Sequence, residues 1–129
     1  MLVPTVRVIA AVISHGDRLL ICQRPSHKRH GNLWEFPGGK CESGESDAEA
    51  ARRELAEELG VEVVAVGPAL FAIADDGSEF LIAFVPVEIR SEPQCLEHSA
   101  LTWATLPELS TLPLAPSDRR FVEFLHSSQ

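Results

Sequence analysis

The sequence predicts an α+β domain. Three observations carry that prediction: runs of strand length rich in valine and isoleucine, one helix with signals at both ends, and an apolar helical face near the C-terminus.

Residues 5–13 are dominated by valine, isoleucine and alanine and read as a buried strand. His15-Gly16-Asp17 supplies a turn into residues 18–24, and the two strands are expected to pair as a hairpin. Residues 25–32 are basic and polar, a loop, after which the apolar-rich residues 33–36 lead into a glycine-rich turn. Ser46 followed three residues later by Glu49 is a capping box, and Gly60 stands where a left-handed C-cap is wanted, so a helix is expected over residues 47–59. Its Ala48, Ala51, Leu55 and Leu59 form an apolar stripe able to pack on a sheet. Residues 61–74 and 80–89 are further strand-like runs around the turn Asp75-Asp76-Gly77-Ser78. Pro116, Ser117 and Asp118 precede a last helix, on which Phe121, Val122, Phe124 and Leu125 share one face. At 129 residues the chain is expected to form one domain, long enough to bury about two thirds of its unfolded surface.

A net charge of −8 with no basic stripe argues against a nucleic-acid polymer as partner. Small phosphorylated ligands remain open if a metal mediates. Three cysteines without CxxC spacing suggest reduced thiols and a cytoplasmic location. Arg7 interrupts the apolar N-terminal run, so neither signal peptide nor membrane anchor is expected.

The helix over residues 47–59 carries the chemistry. Glu54, Glu57 and Glu58 recur at i, i+3 and i+4 and fall within one arc of roughly 100°. Like charges so close repel, by a few tenths of a kcal/mol per pair and more when desolvated, so a cation is needed among them. Mg²⁺ suits such a cluster, with Mn²⁺ as substitute, because hard cations take carboxylate oxygens and leave positions for water and phosphate. The competing reading is a solvated acidic helix face.

The ordered pattern decides between them. Gly39, five residues, Glu45, seven residues and then Arg53-Glu54-Leu55-Ala56-Glu57-Glu58-Leu59-Gly60-Val61 fill every fixed position of the signature of the Nudix hydrolases, which this chain therefore resembles. Leu33-Trp34-Glu35-Phe36-Pro37-Gly38-Gly39-Lys40 resembles the segment before that signature in the MutT-like branch, which hydrolyses nucleoside triphosphates. The resemblance implies an α/β/α sandwich with a mixed sheet between helices. It implies metal ligands at the carbonyl of Gly38 and at Glu54, Glu57 and Glu58, with Glu45 orienting Arg53. A further acid maps to Glu97, six residues before Trp103, the alternative being an exposed loop glutamate. Arg24 maps to an arginine that contacts substrate, and Lys40 is placed to meet phosphate or to serve as a surface cation.

The implied reaction is metal-assisted attack of water on the β-phosphorus of a (deoxy)nucleoside 5'-triphosphate, giving monophosphate and pyrophosphate. Glu54, Glu57 and Glu97 are all candidates for the general base, with Glu54 or Glu97 favoured. The resemblance places Asp118 where MutT itself has an asparagine, and MutT-like relatives with an aspartate there include enzymes acting on cytidine nucleotides as well as on oxidised purines. An ionised aspartate only accepts and suits cytosine N4, whereas a protonated one can serve an oxidised guanine. Two substrate readings follow: nucleotide-pool sanitation of 8-oxo-dGTP or a related modified nucleotide, and a CTP/dCTP pyrophosphohydrolase. Asp118 can equally be a helix N-terminal acid facing the dipole. Trp34 and Trp103 are candidates to flank a base, with core packing as the alternative. A non-catalytic Nudix-fold binding module is the rival class, disfavoured because such modules tend to lose glutamates that are all present here. The enzyme is expected to act as a monomer or homodimer.

Overall fold

The computed structural model describes residues 6–75 and 77–129. Thr5, the expected first residue of the opening strand, and Asp76 of the expected turn lie outside them. Nine strands and three helices follow the described chain in the order β1 (Val6–Val12), β2 (Ser14–His15), β3 (Arg18–Gln23), β4 (Trp34–Glu35), β5 (Gly38–Lys40), α1 (Asp47–Leu59), β6 (Glu62–Val66), β7 (Phe71–Ala74), β8 (Phe80–Arg90), β9 (Ala100–Thr105), α2 (Leu106–Thr111) and α3 (Pro116–Ser127).

A five-stranded mixed sheet has the order β5-β1-β8-β6, with β7 also pairing β8. Its centre is the parallel pair β1 and β8, running in register from Val6 opposite Phe80 to Val12 opposite Pro86. Both faces of β1 are covered, which explains its unbroken apolar run. Ile9 and Ala11 face α1 with Leu55, Leu59, Ala83 and Val85. Ala10 and Val12 face the other way, into a core with Phe84, Phe121 and Val122 of α3. Phe84 and Phe121 stack at 4.4 Å between ring centroids. This is the expected sandwich of a mixed sheet between helices.

The expected hairpin forms differently. β1 pairs with β5 and β8, and β3 takes the two-residue β2 as its hairpin partner, Ser14 opposite Leu19 and His15 opposite Arg18. The chain changes sheet at Ile13, whose buried side chain belongs to the core under α1 while its carbonyl accepts the Leu20 N–H. β2, β3, β4 and β9 make a second, antiparallel sheet. The run 61–74 is two strands, separated where Gly67 packs against Pro86.

The helix α1 matches its expected bounds and its capping box is formed: Glu49 N–H donates to Ser46 Oγ at 3.1 Å and Ser46 N–H to Glu49 Oε1 at 3.0 Å. Its buried face is Ala50, Ala51, Leu55 and Leu59, with Ala48 only half-buried. The last helix begins at Pro116, so Pro116, Ser117 and Asp118 form its first turn instead of preceding it. Among the described residues no helix is long and apolar enough to cross a membrane.

Candidate active site

Three elements converge at one end of α1: the β4–β5 segment from Glu35 to Lys40, the outward face of α1, and the loop of residues 91–99 between β8 and β9. Together they enclose a cleft of about 200 Å³ whose acids are Glu35, Glu54, Glu58 and Glu97, with Gly38 at its wall and Arg24 and Lys28 at its edge. Four of the five expected metal ligands, Gly38, Glu54, Glu58 and Glu97, are thus brought together with Arg24. Glu57 is exposed on α1 and does not line this cleft.

The backbone at the Gly38-Gly39 pair explains why glycine stands at both positions. Gly38 has φ +155°, and a Cβ there would lie 2.0 Å from the Ile9 carbonyl oxygen. At Gly39 a Cβ would lie 2.5 Å from the Glu54 Cδ, so the Glu54 carboxylate is seated directly against the backbone.

Arg53 fixes that carboxylate. Its Nε and Nη2 donate to the two oxygens of Glu45 at 2.9 and 2.8 Å, its Nη1 donates to Glu54 Oε1 at 2.8 Å, and Nη2 also reaches the Lys40 carbonyl at 2.9 Å. A planar guanidinium suits this double duty, because its fork engages one carboxylate while leaving a donor for another. The Arg53 hydrogen bonds hold the Glu45 carboxyl down at about 2, well below the usual range, and Arg53 itself is raised by Glu45 and Glu54.

Glu58 is the acid most out of place: it is 4 % exposed, and burial pushes its carboxyl up to about 9, reinforced by Glu54 and Glu35 and opposed by a backbone hydrogen bond from Gly38. The carboxylates of Glu35, Glu54, Glu58 and Glu97, with Glu58 pushed up first by its burial and then by its acidic neighbours, are hard oxygen donors that fit a hard divalent cation and not a soft one. Among the described residues, no three His, Cys, Asp or Glu side chains already stand at ligating distance of one point.

A second cleft, of about 330 Å³, shares Arg24, Glu35 and Gly38 with the first; Val8, Ile9, Phe36, Phe80 and Ile82 give it a largely apolar wall, and Lys40 and Asp118 also line it. Asp118 Oδ1 accepts the Phe36 N–H at 2.9 Å. Burial pushes its carboxyl up to about 8 although the Phe36 N–H pulls the other way. Lys40 lines this second cleft, with Nζ 5.0 Å from the centre of the Phe80 ring, and does not line the acidic one. Trp34 and Trp103 line neither cleft. Trp34 packs in the core beside α3, and Trp103 packs on the core beneath α1 with its ring 5.9 Å from His15. Both tryptophans take part in core packing.

Two residues of the site escaped the sequence reading as site residues. Glu35 accepts from Arg24 Nη1 at 2.9 Å through Oε1 and meets His98 Nε2 at 3.0 Å through Oε2. The available signal was the position of Glu35 inside the conspicuous run before Gly38, and of His98 beside Glu97.

The NUDIX domain model matches residues 3–125. The chain belongs to the Nudix family. It is 37 % identical over 121 residues to a CTP pyrophosphohydrolase of Escherichia coli, covering 92 % of this chain and 89 % of that one. It is 39 % identical over 118 residues to a putative 8-oxo-dGTP diphosphatase 2 of Mycobacterium tuberculosis, covering 89 % and 84 %. Among solved structures, the E. coli ORF135 protein superposes with a TM-score of 0.81 at 34 % identity, over 97 % of this chain and 91 % of that one. A MutT from the study of Aliivibrio salmonicida and Vibrio cholerae superposes with a TM-score of 0.81 at 28 % identity, over 96 % and 98 %. Nudix hydrolases use divalent metal, in keeping with the oxygen-rich donor set of the cleft.

Proposed function

We propose that this Nudix hydrolase cleaves (deoxy)nucleoside 5'-triphosphates to monophosphate and pyrophosphate with Mg²⁺, Mn²⁺ substituting, and that residues 1–129 act as one domain. The observation that carries the reading is the meeting of an acidic cleft and an apolar cleft at Arg24, Glu35 and Gly38, a division that fits a triphosphate tail and a base joined by a sugar.

Gly38, Glu54, Glu58 and Glu97 would hold the cation, and Glu57 can join them from the exposed face of α1 by a side-chain rotation. When bound, it would neutralise phosphate oxygens and acidify water. Arg53, braced by Glu45, keeps Glu54 oriented, and Glu54 or Glu97 accepts the proton of the attacking water. Attack on the β-phosphorus breaks its bond to the oxygen bridging to the α-phosphorus, so the monophosphate leaves and the pyrophosphate carries the oxygen from water. Arg24, at the junction of the clefts, contacts the substrate near the first phosphate, and Lys40 contacts it at the mouth of the apolar cleft.

For the base, the neutral form favoured by Asp118 offers a donor and an acceptor, as an asparagine would, and this favours an oxidised guanine such as that of 8-oxo-dGTP. The similarity to a CTP pyrophosphohydrolase supports cytidine nucleotides as the second reading. A nucleotide pool fits a reducing compartment, in which Cys22, Cys41 and Cys95 stay free thiols.

The test is an Mg²⁺-dependent assay across canonical and oxidised nucleoside triphosphates in ¹⁸O-water. Pyrophosphate bearing the label is expected, with 8-oxo-dGTP ahead of CTP in kcat/KM. Release of orthophosphate, or label in the monophosphate, would overturn the assigned bond.

A further inference from the structure

The loop of residues 91–99 carries Glu97 into the acidic cleft without any regular secondary structure of its own. Its backbone is anchored at three points. Gln94 N–H donates to the Leu59 carbonyl at 2.8 Å and Leu96 N–H to the Glu58 carbonyl at 3.2 Å, using carbonyls that the end of α1 leaves without helical partners. On the far side of Glu97, Ser99 N–H donates to the Gln23 carbonyl of β3 at 2.9 Å. Between these anchors stands His98, whose side chain is only 6 % exposed.

The ring of His98 is held from one side. Its Nε2 lies 3.0 Å from Glu35 Oε2, within hydrogen-bond distance, and 3.8 Å from Glu58 Oε1, so Nε2 is assigned the hydrogen that it donates to Glu35. Its Nδ1 is buried and has no hydrogen-bond partner among the described residues. The bond to Glu35 therefore sets where the ring sits. The other Glu35 oxygen takes Arg24 Nη1, and Arg24 Nε donates to the Arg29 carbonyl at 2.8 Å, so the chain of contacts continues into the basic loop of residues 25–32 on the opposite rim.

We infer that His98 is a positioning residue: it latches the Glu97 loop to Glu35 and so fixes the Glu97 carboxylate in the cleft, tying together the two loops that flank the site. A buried imidazole with one ring nitrogen left unpaired is a costly arrangement, and His98 belongs to neither apolar core. The inference rests on the reading of Glu97 as part of the reacting site, and the experiment separates the two.

The measurements are amide hydrogen exchange of Leu96 and Ser99 in protein free of cation and nucleotide, and steady-state kinetics with Mg²⁺, on the wild type, Glu97→Gln, His98→Ala, His98→Gln and the double variant Glu97→Gln/His98→Ala. His98→Ala should speed exchange at both amides about tenfold and lower kcat about tenfold, the loss of one hydrogen bond to a charged group, with KM nearly unchanged. His98→Gln keeps an N–H donor for Glu35 and should recover most of both. In the Glu97→Gln background His98→Ala should cost nothing further, because its effect passes through Glu97. Unchanged exchange, or losses that multiply in the double variant, would overturn the latch. Wild-type turnover in Glu97→Gln would overturn the role of Glu97 instead, leaving the exchange data to decide the latch. If His98→Ala does not fold, His98→Asn, whose amide is too short to reach Glu35, takes its place.

Discussion

Replacing Asp118 by asparagine tests the base pocket through stability, without any substrate. Asp118 is 9 % exposed and its Oδ1 accepts the Phe36 N–H at 2.9 Å, a bond an asparagine carbonyl can keep. Burial raises the carboxyl to about 8 from an unperturbed 3.8. Because the folded value lies above the unfolded one, the stability the neutral acid contributes is complete below pH ~4. It falls by up to ~1.4 kcal/mol per pH unit until about 8, where the folded form ionises too. Asparagine does not titrate, so the difference between the two proteins isolates this group from Glu58, which is raised in both. Relative to Asp118→Asn, the wild type should lose ~3 kcal/mol between pH 5 and pH 7.5, read by urea unfolding at a series of pH values. Parallel curves would mean that Asp118 is already ionised in the fold at pH 5. The donor that favours oxidised guanine would then be absent, and the cytidine reading would lead. With the donor present, Asp118→Asn should leave the ratio of kcat/KM for 8-oxo-dGTP over CTP almost unchanged, whereas Asp118→Ala should collapse it.

Glu58→Gln removes a buried acid crowded by Glu54 and Glu35, so in cation-free buffer at pH 7 it should unfold at a higher temperature than the wild type while losing on the order of 10²-fold or more in turnover; near-wild-type hydrolysis by the folded variant excludes Glu58 from the metal site. Gly39→Ala puts a methyl 2.5 Å from the Glu54 Cδ. The carboxylate must then move by about 1 Å, and kcat should fall about 10²-fold; a wild-type rate would mean that the seat of Glu54 is not needed. Arg53→Lys keeps the charge but cannot span Glu45 and Glu54 together, so kcat should drop at least about tenfold with the melting temperature little changed; an equally active lysine variant would reduce the role of Arg53 to charge alone.

Legibility in the sequence followed how local each determinant is. The bounds of α1 were readable because a serine, a glutamate three residues on and a glycine at the far end each solve a backbone problem within a turn of chain. The short α2 carries the same kind of signal, Thr105 with Glu108, and went unread because the run is brief and follows a strand directly. The pairing of β1 with β8 was not readable, since it joins strands some seventy residues apart, and period-two patterning cannot say which edge a doubly buried strand will meet. A turn at His15-Gly16-Asp17 did promise a hairpin, but the run before it has already left for the other sheet at Ile13, and only Ser14 and His15 pair with β3.

The site divides along the same line. Residues whose chemistry is written into one helix, such as Glu54 and Glu58, could be named from spacing, and Gly38, Arg53 and Glu97 from the family pattern. Glu35 and His98 could not, because their meaning lies in contact with each other across 63 residues of sequence, and singly each looks like an ordinary polar residue. The partial exception is Asp118, whose position was visible but whose charge was not. A sequence records a carboxyl group, and only the burial of the α3 first turn against Phe36 decides that the group keeps its proton near neutral pH. If Asp118 reads the base as proposed, the base this enzyme prefers is set by how α3 packs as much as by the residue α3 carries.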